Sequence, residues 1–139
     1  MSRLKPIIPG AASATVLKLD SPISFWGGVD QLTGAIIDNS HPQRGVKVGG
    51  QVLVVSMIRG SGGTPGNLAA MLKHDLGPAA IVLGYPDINV LTGISVAARL
   101  YGSNCPMLLA TADQLDLFET GQTARIAEDG VFSLEPGKA

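Results

Sequence analysis

The chain reads as a mixed α/β domain, strand-rich, with helices on one side of a small sheet or barrel. Three observations point there. Short β-branched apolar runs recur, with glycine and proline between them, and 18 Gly and 9 Pro make up nearly a fifth of the 139 residues. The middle of the chain alternates strand, helix, strand, helix, strand, the order that parallel crossovers produce. The ends are hairpin-like, which adds an antiparallel layer.

In order, Ser13–Leu19 is the first predicted strand, and Ser21–Asp30, with Pro22, Gly27 and Gly28, is an irregular loop. Gly34–Asp38 is predicted as a second strand, and Ser40–Gly50 as turns. Gln51–Ile58 (QVLVVSMI) is apolar at successive positions, so a strand here would be buried on both faces. A glycine-rich run, Arg59–Gly66, follows. Asn67 then serves as the predicted cap of a helix reaching about Leu76, with Gly77 as its stop. Ala79–Tyr85 is predicted as a further apolar strand, and Gly93–Tyr101 as a short helix ended by Gly102. Pro106–Ala110, Gln122–Ala127 and Val131–Glu135 complete the strands, the last two joined by the turn signal Asp129-Gly130. The carboxylates of Thr111–Glu119 read as a solvated face. No repeat or linker divides the chain, so residues 1–139 are expected to form a single domain.

Composition narrows the function. Hydrophobic residues reach 45%, enough for a real core, but charged residues are only 15%, against about 25% in a typical soluble domain. A surface this poor in charge suits one that is partly covered by a partner. The net charge of -1, without a basic stripe, argues against nucleic acid. The longest apolar runs, around Val52–Val55 and Pro78–Leu83, fall far short of the roughly 20 residues that span a bilayer. No signal-peptide pattern opens the chain. The lone Cys105 excludes an internal disulfide and fits a reducing, cytoplasmic setting. One Cys and two His cannot build a cysteine-ligated metal cluster, so no cofactor is expected on this chain itself.

The strongest local feature is the buried strand that feeds Arg59-Gly-Ser-Gly-Gly-Thr-Pro-Gly-Asn67 and then a helix. Glycines let backbone N–H groups approach an anion, and a helix N-terminus adds its positive dipole end. Arg59, Gly60, Gly62, Gly63 and Thr64 are therefore the candidate substrate-binding residues, and Ser61 and Thr64 are the hydroxyls of the turn. The plain alternative is a strand-to-helix turn whose glycines serve geometry only. The spacing is not that of a P-loop, because no Gly-Lys-Ser/Thr follows. A second feature, Ser24-Phe-Trp-Gly-Gly-Val-Asp30, holds two of the six aromatics, and a packing plug or interface anchor is favoured there over direct substrate contact. His41 is open to two readings, acid/base group or turn residue before Pro42, with the second favoured. His74 is expected at the surface and Cys105 as a small buried hydrophobe.

Together these segments resemble a known family. Pro22-Ile-Ser-Phe-Trp-Gly-Gly-Val-Asp30, then Thr33-Gly-Ala-Ile-Ile-Asp38 and His41-Pro42, is similar to the small subunit of aconitase X. The likeness continues through Gly50–Val55, Arg59-Gly-Ser61, Gly77–Val82 and Leu100-Tyr101, covering about residues 14–135. It implies the swivelling β/β/α fold of the last aconitase domain. It also implies a larger partner subunit whose cysteines hold iron or an iron–sulfur centre, and an activity that removes water from a small hydroxy acid. By the resemblance the catalytic residue is Ser61, whose alkoxide takes a proton from carbon while the metal assists departure of the hydroxyl. The family's loop continues from Arg-Gly with several serines, whereas here Gly62, Gly63 and Gly66 stand in their place. Fewer hydroxyl donors lean toward cis-3-hydroxy-L-proline over mevalonate 5-phosphate as the substrate. Two alternatives stand beside this reading. One is a non-catalytic module that binds a partner through Phe25 and Trp26. The other is a phosphohistidine-type swivelling domain, suggested by Gly62-Gly-Thr-Pro-Gly-Asn-Leu-Ala-Ala70, which has Asn67 near where that family's nucleophilic histidine stands.

Overall fold

The computed structural model describes residues 2–59 and 62–137. Seven strands and three helices run in the order β1 (Lys5–Ile8), β2 (Ala12–Lys18), β3 (Val52–Val55), α1 (Thr64–Lys73), β4 (Ala80–Leu83), α2 (Ile88–Tyr101), β5 (Met107–Leu109), α3 (Ala112–Leu117), β6 (Thr123–Ile126) and β7 (Phe132–Glu135). All eight residues of β3 and β4 are buried, as their unbroken aliphatic runs predict. Side chains in a strand alternate between the two faces. Leu53, Val55, Ile81 and Leu83 accordingly join one apolar cluster, while Val52, Val54, Ala80 and Val82 join another.

The sheet order is β1-β5-β4-β3-β2-β6-β7. Strands β2, β3, β4 and β5 are mutually parallel, whereas β1, β6 and β7 pair antiparallel to their neighbours. β2 serves two partners. Its residues 16–18 pair with β3, and its residues 12–15 pair with β6. Helices α1 and α2 cover one face through Leu68, Met71, Val90, Ile94 and Ala97, joined by Phe25, Val29, Ile36 and Val48 from the long segment before β3. The opposite face is closed by Leu4, Ala124, Ile126 and Phe118, whose ring stacks on Phe132 at a centroid distance of 5.4 Å. The result is two β layers and a helical layer, with the two longer helices on one side.

Several boundaries differ from the sequence reading, each for a physical reason. Gly34–Asp38 is not a strand: Ala35 and Ile36 make only isolated bridges, to Lys47 and Val29. β1, an edge strand containing Pro6, lies where the sequence reading places no element. α1 begins at Thr64 with Gly63 as its N-cap, so Asn67 lies inside the helix and does not cap it. α1 also ends before Gly77. Asp75 takes the left-handed conformation at φ 58°, Leu76 donates to the Met71 carbonyl at 2.8 Å, and Asp75 donates to Leu72 at 3.3 Å. That pair of bonds closes the helix end as a Schellman motif. α2 starts five residues before Gly93, where the Asp87 carboxylate accepts from the Asn89 and Val90 amides at 2.9 and 3.0 Å. It ends at Gly102 as predicted. Within Thr111–Glu119 lies α3, opened by a reciprocal capping box between Thr111 and Gln114.

Candidate functional site

Because β2 to β5 are parallel, their C-terminal ends share one edge of the sheet, and α1 and α2 both begin there. Crevices beyond the carboxyl ends of parallel strands are where open α/β sheets bind ligands. β3 delivers Arg59 to this edge. Ile58 bridges to Ile23, and the Arg59 amide donates to the Ile23 carbonyl at 2.9 Å. The Arg59 side chain is exposed. After it the chain enters α1 through Gly62, exposed, Gly63, half-buried, and Thr64, fully buried. Ser61 and Gly60 lie outside the described residues.

Among the described residues no side chain caps the first turn of α1. Its leading N–H groups have no partner within the helix, apart from Pro65, which has no N–H at all. The Asn67 amide makes the first helical bond, to the Gly63 carbonyl at 3.1 Å. Thr64 Oγ1 is buried with no hydrogen-bond partner among the described residues. The turn is thus a source of donors and of positive dipole potential facing the edge.

The Ser24–Asp30 loop lies against this turn, and its two aromatics divide their work. Phe25 is a fully buried plug in the helical-face core, as favoured from sequence, whereas Trp26 is 60% exposed. The indole lies across Gly63, so that a Cβ at Gly63 would stand 2.7 Å from Trp26 Cγ and 3.0 Å from Nε1. Asn67 Nδ2 donates to the Phe25 carbonyl at 3.3 Å, and Asn67 Oδ1 accepts a short bond from Gln31 Nε2. Ser24 Oγ donates to the Trp26 carbonyl at 2.8 Å and accepts from the Trp26 amide at 3.2 Å. The two sequence motifs are therefore joined in space. Asp38 also faces this region. The Ser40 hydroxyl and amide, at 2.7 and 2.9 Å, hold its carboxyl below the usual range, with a smaller contribution from the Arg59 charge.

Other candidates fall elsewhere. His41 is buried, with Nδ1 accepting from the Gln43 amide at 3.0 Å and Nε2 3.0 Å from the Ser21 carbonyl. Both ring nitrogens are thus occupied in pinning a turn. His74 is exposed at the C-terminal end of α1. Cys105 is buried and its thiol is pushed up to about 12 by that burial. No three His, Cys, Asp or Glu side chains among the described residues are grouped to hold a metal ion. The described residues therefore offer no ligand set that fits an iron or iron–sulfur site. No helix among the described residues is long and apolar enough to cross a membrane. A shallow depression of about 600 Å³ opens between β2, β6 and β7, lined by Ala12, Arg125, Phe132 and Ser133. It lies away from the strand ends and carries no comparable donor set.

The family model of the aconitase X swivel domain matches residues 1–134. The chain belongs to the aconitase X swivel-domain family. Relatives of this swivel domain come in two lengths. The chain is 32% identical over 136 residues to the phosphomevalonate dehydratase small subunit of Thermococcus onnurineus, covering 94% of this chain and 95% of that one. It is also 32% identical over 124 residues to the cis-3-hydroxy-L-proline dehydratase of Pseudomonas aeruginosa. That match takes in 89% of this chain but only 21% of the relative's length. The swivel domain spans about a fifth of that larger protein. Among solved structures it superposes on Thermococcus kodakaraensis aconitase X (holo-form) with a TM-score of 0.84 at 27% identity, covering 98% of this chain and 100% of that one. The predicted swivelling β/β/α fold is the observed one.

Proposed function

We propose that this chain is the small subunit of a two-subunit aconitase X type dehydratase that removes water from a small hydroxy acid. The observation that carries the reading is the nearly end-to-end match to a protein named as a dehydratase small subunit. The union of the Ser24–Asp30 and Arg59–Asn67 motifs at the strand ends supports it. The partner in this reading is a large subunit, which holds the iron or iron–sulfur centre and operates in the cytoplasm. The exposed apolar side chains Met57 and Tyr85, which follow β3 and β4, and Ile88 at the start of α2 suit burial against it.

In the proposed reaction Ser61, as its alkoxide, takes the proton from the substrate carbon. The electron pair of that C–H bond becomes the new C=C bond as the neighbouring C–O bond breaks, and the hydroxyl leaves as hydroxide, which a proton from solvent converts to water. A free serine is far too weak an acid for that role, so its anion needs preorganised donors. The amides of the first turn of α1 and the Arg59 guanidinium are the donors this chain supplies, with Gly60, Gly62 and Gly63 forming the substrate contact; Thr64, also expected in it, is fully buried. With glycines at 62, 63 and 66, cis-3-hydroxy-L-proline is the favoured substrate over mevalonate 5-phosphate.

Affinity purification of the tagged chain, with mass spectrometry of its companions, tests the partner. A cysteine-bearing large subunit is expected, and the assembled pair should dehydrate one of the two acids while the isolated chain does not. Recovery of the chain alone would overturn the subunit reading. Full turnover by the Ser61→Ala complex would overturn the role of Ser61. The phosphohistidine alternative finds no support, because Asn67 is engaged with Phe25 and Gln31 and His74 sits at the far end of α1.

A further inference from the structure

Gly63 is an unusual choice for its place. It is the N-cap of α1 with φ -82° and ψ -15°, a right-handed conformation that any L-residue adopts without strain. N-cap positions favour Ser, Thr, Asp or Asn, whose side chains bond the exposed amides. Gly63 gives up that bond, and its backbone angles do not require glycine. What requires it is Trp26, whose ring occupies the volume a Cβ would need.

We propose that Trp26 is a positioning residue that fixes the N-terminus of α1, with Gly63 as the docking place its indole demands. Only the statement that this end of α1 faces substrate rests on the function proposed above. The loop carrying Trp26 is itself rigidly seated. Phe25 is anchored in the core, Ser24 Oγ bonds both the amide and the carbonyl of Trp26, and Gly27 turns the chain at φ 82°. The same loop grips the helix one turn further on, where Asn67 donates to the Phe25 carbonyl and accepts from Gln31. The two attachments, a ring on Gly63 and a pair of side-chain bonds at Asn67, bracket the first turn of α1. They hold the first turn from outside the helix, as a capping side chain does from within. This explains how the helix start is held with a glycine at its N-cap position, and why an indole stays on the surface beside a buried phenyl ring.

The test uses the full chain alone, in which Trp26 is the sole tryptophan. Amide exchange is followed by NMR at Asn67, whose bond to the Gly63 carbonyl closes the first turn, and at Val54 in β3 as a reference. In Trp26→Ala, exchange at Asn67 should accelerate about tenfold with Val54 unchanged, while Trp26→Phe keeps most of the protection. In Gly63→Ala the indole must leave its seat, so its emission shifts to the red, acrylamide quenches it more strongly, and Asn67 again exchanges faster. Unchanged exchange at Asn67 in both Trp26→Ala and Gly63→Ala would overturn the proposal. Equal acceleration at Asn67 and Val54 would also overturn it, by showing a loss of overall stability in place of local positioning. Neither outcome depends on the partner or on turnover.

Discussion

Gly93 of α2 rests directly on the start of α1: a Cβ at Gly93 would stand 3.0 Å from the Pro65 carbonyl oxygen and 3.2 Å from Leu68 Cβ. The two helices meet backbone to backbone at the turn that carries the candidate site, so the crossing point of the helical layer and the mouth of the strand edge are mechanically one place. Replacing Gly93 by Val forces the helices apart there. A loss of about 1–3 kcal/mol is expected in urea unfolding, the usual cost of overpacking a close contact. An unchanged midpoint would show that α2 slides freely over Pro65.

Asp87 accepts from two amides at the start of α2. Asp87→Ala should cost about 1 kcal/mol and lower the melting temperature by roughly 4 °C. Because the cap is local, Asp87→Asn is expected to recover most of the loss.

Burial holds the Cys105 thiol protonated in the fold to about pH 12, against an ordinary value of 9.0. The sign follows from linkage. Below pH 9 both states keep the proton and the contribution is complete; above it the unfolded chain ionises first, and stability falls as pH rises toward 12. Between pH 8 and 10.5 the wild type should lose at most roughly 2 kcal/mol more than Cys105→Ala, read as urea midpoints. Thiol reagents at pH 8 should modify the native chain only at its unfolding rate.

Asp38 works in the opposite direction. Its carboxyl is held low chiefly by Ser40, so the stabilisation is present above the unfolded aspartate value and lost as pH falls through the lowered one. Asp38→Asn should therefore flatten the acid limb of a stability profile, and Ser40→Ala, which removes the main cause of the lowered carboxyl, should flatten it in the same direction. Identical acid limbs in wild type and Asp38→Asn would rule the contribution out.

Much of the fold was legible because it rests on local pattern. The doubly buried strands β3 and β4 announce themselves by unbroken aliphatic runs, and Asp129-Gly130 marks the β6–β7 hairpin, where Gly130 takes φ 90°. What escaped was set by distant parts of the chain. Asn67 has the chemistry of an N-cap, yet its side chain is claimed by Phe25 and Gln31, and the helix runs past it to Thr64. β1 exists because β5 offers it an edge, not because Lys5–Ile8 alternates. α3 did leave a signal, Thr111 and Gln114 at capping-box spacing, in a helix of six residues that buries none of them. The candidate site was readable as two motifs. That Trp26 lies on Gly63 was not, since nothing near either residue encodes the meeting.

The pairing of β1 with residues 107–109, and of β2 with residues 123–126, has a consequence for how the protein is made. Within this domain β1 and β2 are synthesised long before the antiparallel neighbours that complete them. Until then β2, which later sits between both halves of the sheet, presents a bare edge to its surroundings. Assembly dominated by such late, long-range pairings is slow, and it leaves the nascent chain exposed to the wrong strands. A product cut short before residue 107 would carry β1 without its partner and β2 with its β6 edge bare, a substrate for chaperones and for aggregation.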